Sequence, residues 1–126
     1  MKGYKGFDNK FQCIGLQYEV GETYSYVGDI KICSRGFHFC KKLSDVLNFY
    51  PLNPKFRHYI SLQKLIEGYF TIHNRYAEVE CLGRYITNDH HKYVTDRIRI
   101  IRELSTYEIC EILQRERENK IIAREI

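Results

Sequence analysis

The chain of 126 residues has no tryptophan, one methionine and two prolines, Pro51 and Pro54. It has no internal repeat, no low-complexity tract and no Gly/Ser linker, so nothing marks a boundary and a single domain over residues 1–126 is expected. Apolar runs are short: none approaches the roughly 18 residues a membrane helix needs. The opening "MKGYKGFDNK" also lacks the apolar centre of a secretory leader. These absences predict a cytoplasmic protein with no membrane partner. Cys13, Cys33, Cys40, Cys81 and Cys110 are odd in number and irregular in spacing, which excludes a regular disulfide framework and predicts free thiols. Excess charge is scarce too. Twenty Lys and Arg against 16 Asp and Glu leave +4, with no dense basic patch, so nucleic acid is not the favoured partner.

What the chain does have is aromatic bulk. A hydrophobic share of 44%, with eleven tyrosines and seven phenylalanines, describes a folded globular chain. At this length folding buries roughly two thirds of the unfolded surface, enough for a core without covalent staples.

The first third reads as short strands separated by glycines: Tyr4 to Phe7, Phe11 to Ile14, Gln17 to Val20, Thr23 to Val27 and Asp29 to Cys33. From Lys41 the period changes. Leu43, Val46, Leu47 and Tyr50 fall at three and four spacing and predict a short helix over about 42 to 50, ended by Pro51. Residues 51 to 74 are less regular, with a second short helix expected over Leu62 to Glu67. Arg75 to Leu82 alternates, with Ala77, Val79 and Cys81 on one face and Tyr76, Glu78 and Glu80 on the other, as a strand does. Tyr93 to Leu104, with Val94, Ile98 and Ile100 at even positions, predicts one further strand. Ser105 and Glu108 form a capping box that starts a C-terminal helix at about 106. The expected fold is α+β: a twisted, mostly antiparallel sheet of six or more strands, a short central helix and a C-terminal helix.

The segment "CSRGFHFC" at 33–40 is the first candidate site. With Arg35 and Gly36 as the centre of a two-residue turn, Cys33 faces His38 and Lys31 faces Cys40, while Phe37 and Phe39 point to the core. That register gathers two thiols and an imidazole on one face. A structural zinc site wants four ligands, and no second pair exists, so no metal and no cofactor is expected. The strand residues Arg75, Tyr76, Glu78 and Glu80 are the second candidate, a polar strand face able to line a cleft, against the alternative of salt bridges to Arg97 or Arg99. Tyr18, Tyr24 and Tyr26 share a parity that predicts an aromatic surface, and tyrosine and arginine favour recognition faces. Tyr18 and Arg35 therefore join the binding candidates.

In order along the chain, "YKGFD", "CIGLQYEVGETY", "CSRGFHFC", a helix ending in "FYP", "RYAEVECLG" and "VTDRIRIIREL" resemble an uncharacterised domain of bacterial, phage and large-virus proteins over about residues 3 to 104. The resemblance carries no activity. It implies an accessory protein of a mobile element that binds a host factor, as an anti-defence protein does when it blocks an immune effector or sequesters a nucleotide signal. The partner would then be a host protein or a small nucleotide. The longer 52–74 segment and the charged tail after Ser105 depart from the family pattern. The chain is also similar to the ADP-ribosyltransferase-like fold, which implies an NAD-using enzyme or a degenerate relative. In that likeness Lys5 stands where the first-strand NAD-holding residue falls, and Glu78 or Glu80 stands for the late carboxylate. The His-Gly or Arg opening and the Ser-Thr-Ser string of those enzymes are absent.

Overall fold

The computed structural model describes residues 1–56, 67–68 and 71–125, with side chains described as far as residue 120 except at Phe56. In chain order the elements are β1 (Lys2–Phe7), β2 (Gln12–Cys13), β3 (Leu16–Gln17), β4 (Thr23–Ser25), β5 (Phe37–Phe39), α1 (Leu43–Val46), a 3₁₀ turn (Pro54–Phe56), β6 (Arg75–Cys81), β7 (Tyr85–Thr87), β8 (Tyr93–Thr95), β9 (Arg97–Glu103) and α2 (Thr106–Glu125). The α+β class and the mostly antiparallel pairing match the expectation. The expected helix over Leu62 to Glu67 lies, apart from Glu67, outside the described residues.

The alternating strand β6 is the centre of the main sheet, whose order is β1-β6-β9-β4. Both faces of this sheet are covered. On one, Ala77, Val79, Ile98 and Ile100 pack with Phe7, Phe11, Tyr18, Phe37 and Phe39. On the other, Tyr76 packs with Leu43, Val46, Leu52, Leu104 and Ile109, so α1 and the first turns of α2 form the second layer. Each of the buried Val, Leu, Ile and Phe side chains contributes about 1.5–3 kcal/mol on burial. The capping box forms as predicted: Ser105 N–H donates to Glu108 Oε1 at 3.0 Å, and Glu108 N–H to Ser105 Oγ at 3.1 Å.

Three expectations are corrected. Tyr93 to Leu104 is not one strand: it breaks at Asp96, and β8 pairs with β5 and β7 in a second sheet while β9 stays in the first. Asp96 is the corner. Its carboxylate accepts from Arg84 N–H and Arg84 Nε, and its carbonyl accepts from Tyr26 N–H. Buried Val94, Ile98 and Ile100 keep their even spacing through the corner, which is why the periodicity did not reveal it.

The second correction concerns the strands Gln17 to Val20 and Asp29 to Cys33. The former shortens to β3. The latter is a tight loop in which Ser34 and Arg35 N–H groups both donate to Lys31 O, with Cys33 at φ +68°. The third is the Arg35–Gly36 hairpin. Phe37 to Phe39 pairs with β8, not with residues 31 to 33. The two-residue turn with positive φ at both centres lies elsewhere, at Ile14 (+49°) and Gly15 (+77°), between β2 and β3.

Candidate functional site

Strand β1 crosses close under the end of β5. Tyr4 N–H donates to Cys40 O at 2.7 Å, and Cys40 N–H returns to Tyr4 O at 2.9 Å. Gly3 permits this approach, because a Cβ there would stand 2.6 Å from Cys40 O. The alternation of β1 then sends Lys5 toward β5 and the aromatic core.

Lys5 is only 3% exposed. Its Nζ donates to His38 O at 2.7 Å with the Cys13 side chain close by, while the Tyr18 and Phe7 rings lie 5.5 and 6.0 Å away. Burial holds its pKa below the ordinary lysine value. A continuous line of polar groups runs outward from this amine. Tyr50 Oη donates to Cys13 Sγ at 3.1 Å, on one side. On the other, His38 Nε2 accepts from Cys33 N–H at 2.8 Å, and Lys92 Nζ donates to Cys33 Sγ at 3.1 Å.

These groups line a cavity of about 140 Å³ between β1, β5 and the α1 segment. Its walls include Phe39, Val46 and Tyr50, and Ile14, Phe49 and Lys92 also line it. Ile14 is 89% exposed and Phe49 half-exposed, so they form its mouth together with Lys92, whose ammonium lies 4.5 Å from the Phe49 ring. Among the described residues the lining carries two lysines and no carboxylate.

The imidazole of His38 is committed to the loop. With Nε2 accepting from Cys33, the ring proton is on Nδ1, on the side of the Gly36 backbone. Burial, with Lys5 and Lys92 nearby, depresses its pKa to about 4, so it is neutral at physiological pH. It fixes the 33–36 loop and leaves no ring nitrogen for acid or base work. The Cys40 thiol is pushed up to about 12, chiefly by burial, which makes it a small apolar group and not a thiolate. Burial, with Cys13 next to it, likewise raises Tyr50 above the ordinary tyrosine value.

Of the candidates named from the sequence, Lys5 and His38 are brought together, and Tyr18 is beside them. Tyr18 is a core residue at 4% exposure, packed between Phe7, Tyr24 and Phe37, not part of an aromatic surface. Arg35 is exposed on the loop. The other four lie elsewhere. In the register of β1 and β6, Lys5 stands opposite Ala77, whereas Glu78 and Glu80 stand opposite Tyr4 and Lys2. Opposed residues share a face, so both carboxylates are on the far side of the sheet from the Lys5 amine. Glu78 is held there by Arg102 at 3.1 Å and Lys2 at 3.8 Å. Arg75 is forked onto Glu103, with Nε 2.8 Å from Oε2, and lies over the Phe11 ring. Tyr76 is fully buried, its hydroxyl donating to Tyr50 O at 2.6 Å. These are ties within the fold.

Cys13, Tyr50 and Lys92 were not singled out by sequence. They come from three separate elements, and no local spacing relates them. Among the described residues no group of three or more His, Cys, Asp or Glu side chains is placed to hold a metal ion, and the five cysteines are free thiols.

Fold and site together define an α+β domain with a small, lysine-bearing cavity under one edge of its main sheet. Residues 1–112 match the family described as Domain of unknown function (DUF7666), and the chain belongs to that family. No curated protein sequence and no solved structure matches it.

Proposed function

We propose that the protein is a non-enzymatic binding module of a mobile element, phage or virus, which sequesters a small nucleotide-like ligand in the cavity beside Lys5 and so blunts a host defence signal. The carrying observation is the lining: two lysines, apolar and aromatic walls, and no carboxylate around about 140 Å³. A cavity of about 150 Å³ accepts one benzene-sized ring. One ring of a base or of nicotinamide therefore fills it, and the phosphates remain outside, within reach of Lys92. Lys92 at the mouth favours an anionic ligand, and the absence of carboxylates from the lining among the described residues removes the repulsion that would oppose one.

The rival, an NAD-using transferase, requires the first-strand residue and the late carboxylate to face one ligand. Lys5 and the pair Glu78 and Glu80 are on opposite faces of the sheet, which favours binding over transfer. Melting curves against NAD, ADP-ribose and cyclic nucleotides test the proposal. A ligand that binds only the folded state raises Tm with concentration. The expected result is a saturable rise for at least one nucleotide, reduced in Lys92→Ala. No rise with any nucleotide, with a host protein recovered in its place, would move the function to protein blocking.

A further inference from the structure

The Lys5 amine has a second possible use, which does not depend on the nucleotide reading. It is enclosed at one end of a cavity sized for a single ring, and among the described residues it has no carboxylate partner. A primary amine without its ammonium proton has two hydrogens and one lone pair. His38 O accepts one of these hydrogens at 2.7 Å, and the lone pair is left for bond formation to a group in the cavity. We propose that Lys5 condenses with the carbonyl group of a small ring-bearing aldehyde or ketone in this cavity, giving an imine.

The step balances without a co-reactant. The nitrogen lone pair forms a bond to the carbonyl carbon as the C=O π pair moves to oxygen. Loss of the C–O bond from the resulting carbinolamine leaves a C=N bond, and the oxygen departs with the two amine hydrogens as one water. Burial supplies the condition the chemistry needs, since it disfavours the charged ammonium and leaves the nucleophilic amine populated nearer neutral pH than on a solvated lysine. Lys92 at the mouth suits a carbonyl compound that also carries an anionic group. Apolar walls of Phe39 and Val46 disfavour the water that would hydrolyse the imine.

Pyridoxal 5′-phosphate is a suitable probe, being one ring with an aldehyde and a phosphate. The intact chain is incubated with it, reduced with borohydride, digested and mapped by mass spectrometry. The expected result is a stable adduct on Lys5 at probe levels that leave the exposed Lys31 and Lys55 unmodified, and its absence in Lys5→Arg. Adducts spread over surface lysines with Lys5 untouched would overturn the proposal, as would an adduct confined to Lys92. Because the mapping is done on the wild-type chain, it stands even if Lys5→Arg folds poorly. Imine formation without any nucleotide-induced change in Tm would uphold this inference and defeat the nucleotide one, and the reverse pattern would do the opposite.

Discussion

The Lys5 Nζ and the His38 carbonyl oxygen are 2.7 Å apart, joining the first strand to the fifth across 33 positions of sequence. This bond gives a buried amine one fixed acceptor, and among the described residues no carboxylate is paired with it. Such an arrangement costs stability when the amine is protonated, and that cost is why Lys5 is the centre of the proposed site.

The first prediction follows from that cost. The folded-state pKa of Lys5 is below its ordinary value of 10.5, so the unfolded chain binds more protons between the two values. Stability contributed by this group therefore increases as pH rises through that window. Cys40, with its pKa raised to about 12, acts in the opposite sense above pH 9. Comparing wild type with Lys5→Met isolates the lysine: the variant should gain stability relative to wild type as pH falls from 10 to 7. Urea midpoints across this range check it, and a constant difference would contradict it.

His38 makes an acid-side prediction. Its pKa of about 4 in the folded chain is below the ordinary 6.5, so the unfolded state takes up the extra proton between these values. The contribution is fully present above pH 6.5 and is lost as pH falls toward 4. In His38→Gln this part of the acid destabilisation should vanish, leaving a flatter Tm profile between pH 6.5 and 4.

Glu116 on α2 caps α1 from across the second layer, accepting from the Leu43 and Ser44 N–H groups at 2.8 and 3.0 Å. Removing a cap acceptor costs about 1 kcal/mol. Glu116→Ala should lose about that much in urea unfolding, while Glu118→Ala, whose exposed carboxylate accepts from exposed Gln114, should stay within about 0.5 kcal/mol of wild type.

Gly36 has φ +105°, and a Cβ there would stand 2.8 Å from Thr95 O. Gly21 has φ +89° with open space around it. Both Gly→Ala changes introduce backbone strain, but only the one at Gly36 also forces β5 away from β8. Gly36→Ala should therefore be the more destabilising of the two by calorimetry, and equal costs would argue against that close pairing.

Much of the architecture was legible because its signals are local. The alternation of Arg75 to Leu82 and the Ser105–Glu108 box each specify an element within a few residues. The break at Asp96 was hidden because Val94 and Ile98 need burial in either sheet, so their spacing does not record which sheet they join. The "CSRGFHFC" segment misled for a related reason. A glycine after a polar residue fits a hairpin turn, but the pairing that Phe37 and Phe39 find is with Tyr93 to Thr95, over fifty residues onward. Cys33 and His38 do meet, through imidazole and backbone instead of across a ladder. The cavity was the least legible part, since Lys5, Cys13, Tyr50 and Lys92 become neighbours only once β1, the β2–β3 turn, the α1 segment and the β7–β8 loop are assembled.

The central claim is that the Lys5 cavity is the ligand site, and backbone amide NMR during titration with ADP-ribose and the cyclic nucleotides tests it most directly. The account predicts saturable shifts gathered at Tyr4, Gly6, Cys33, Cys40 and Lys92, the residues around that cavity. Shifts collected instead along the groove of Lys42, Arg115 and Lys120 between α1 and α2, or no shifts with any nucleotide, would contradict it.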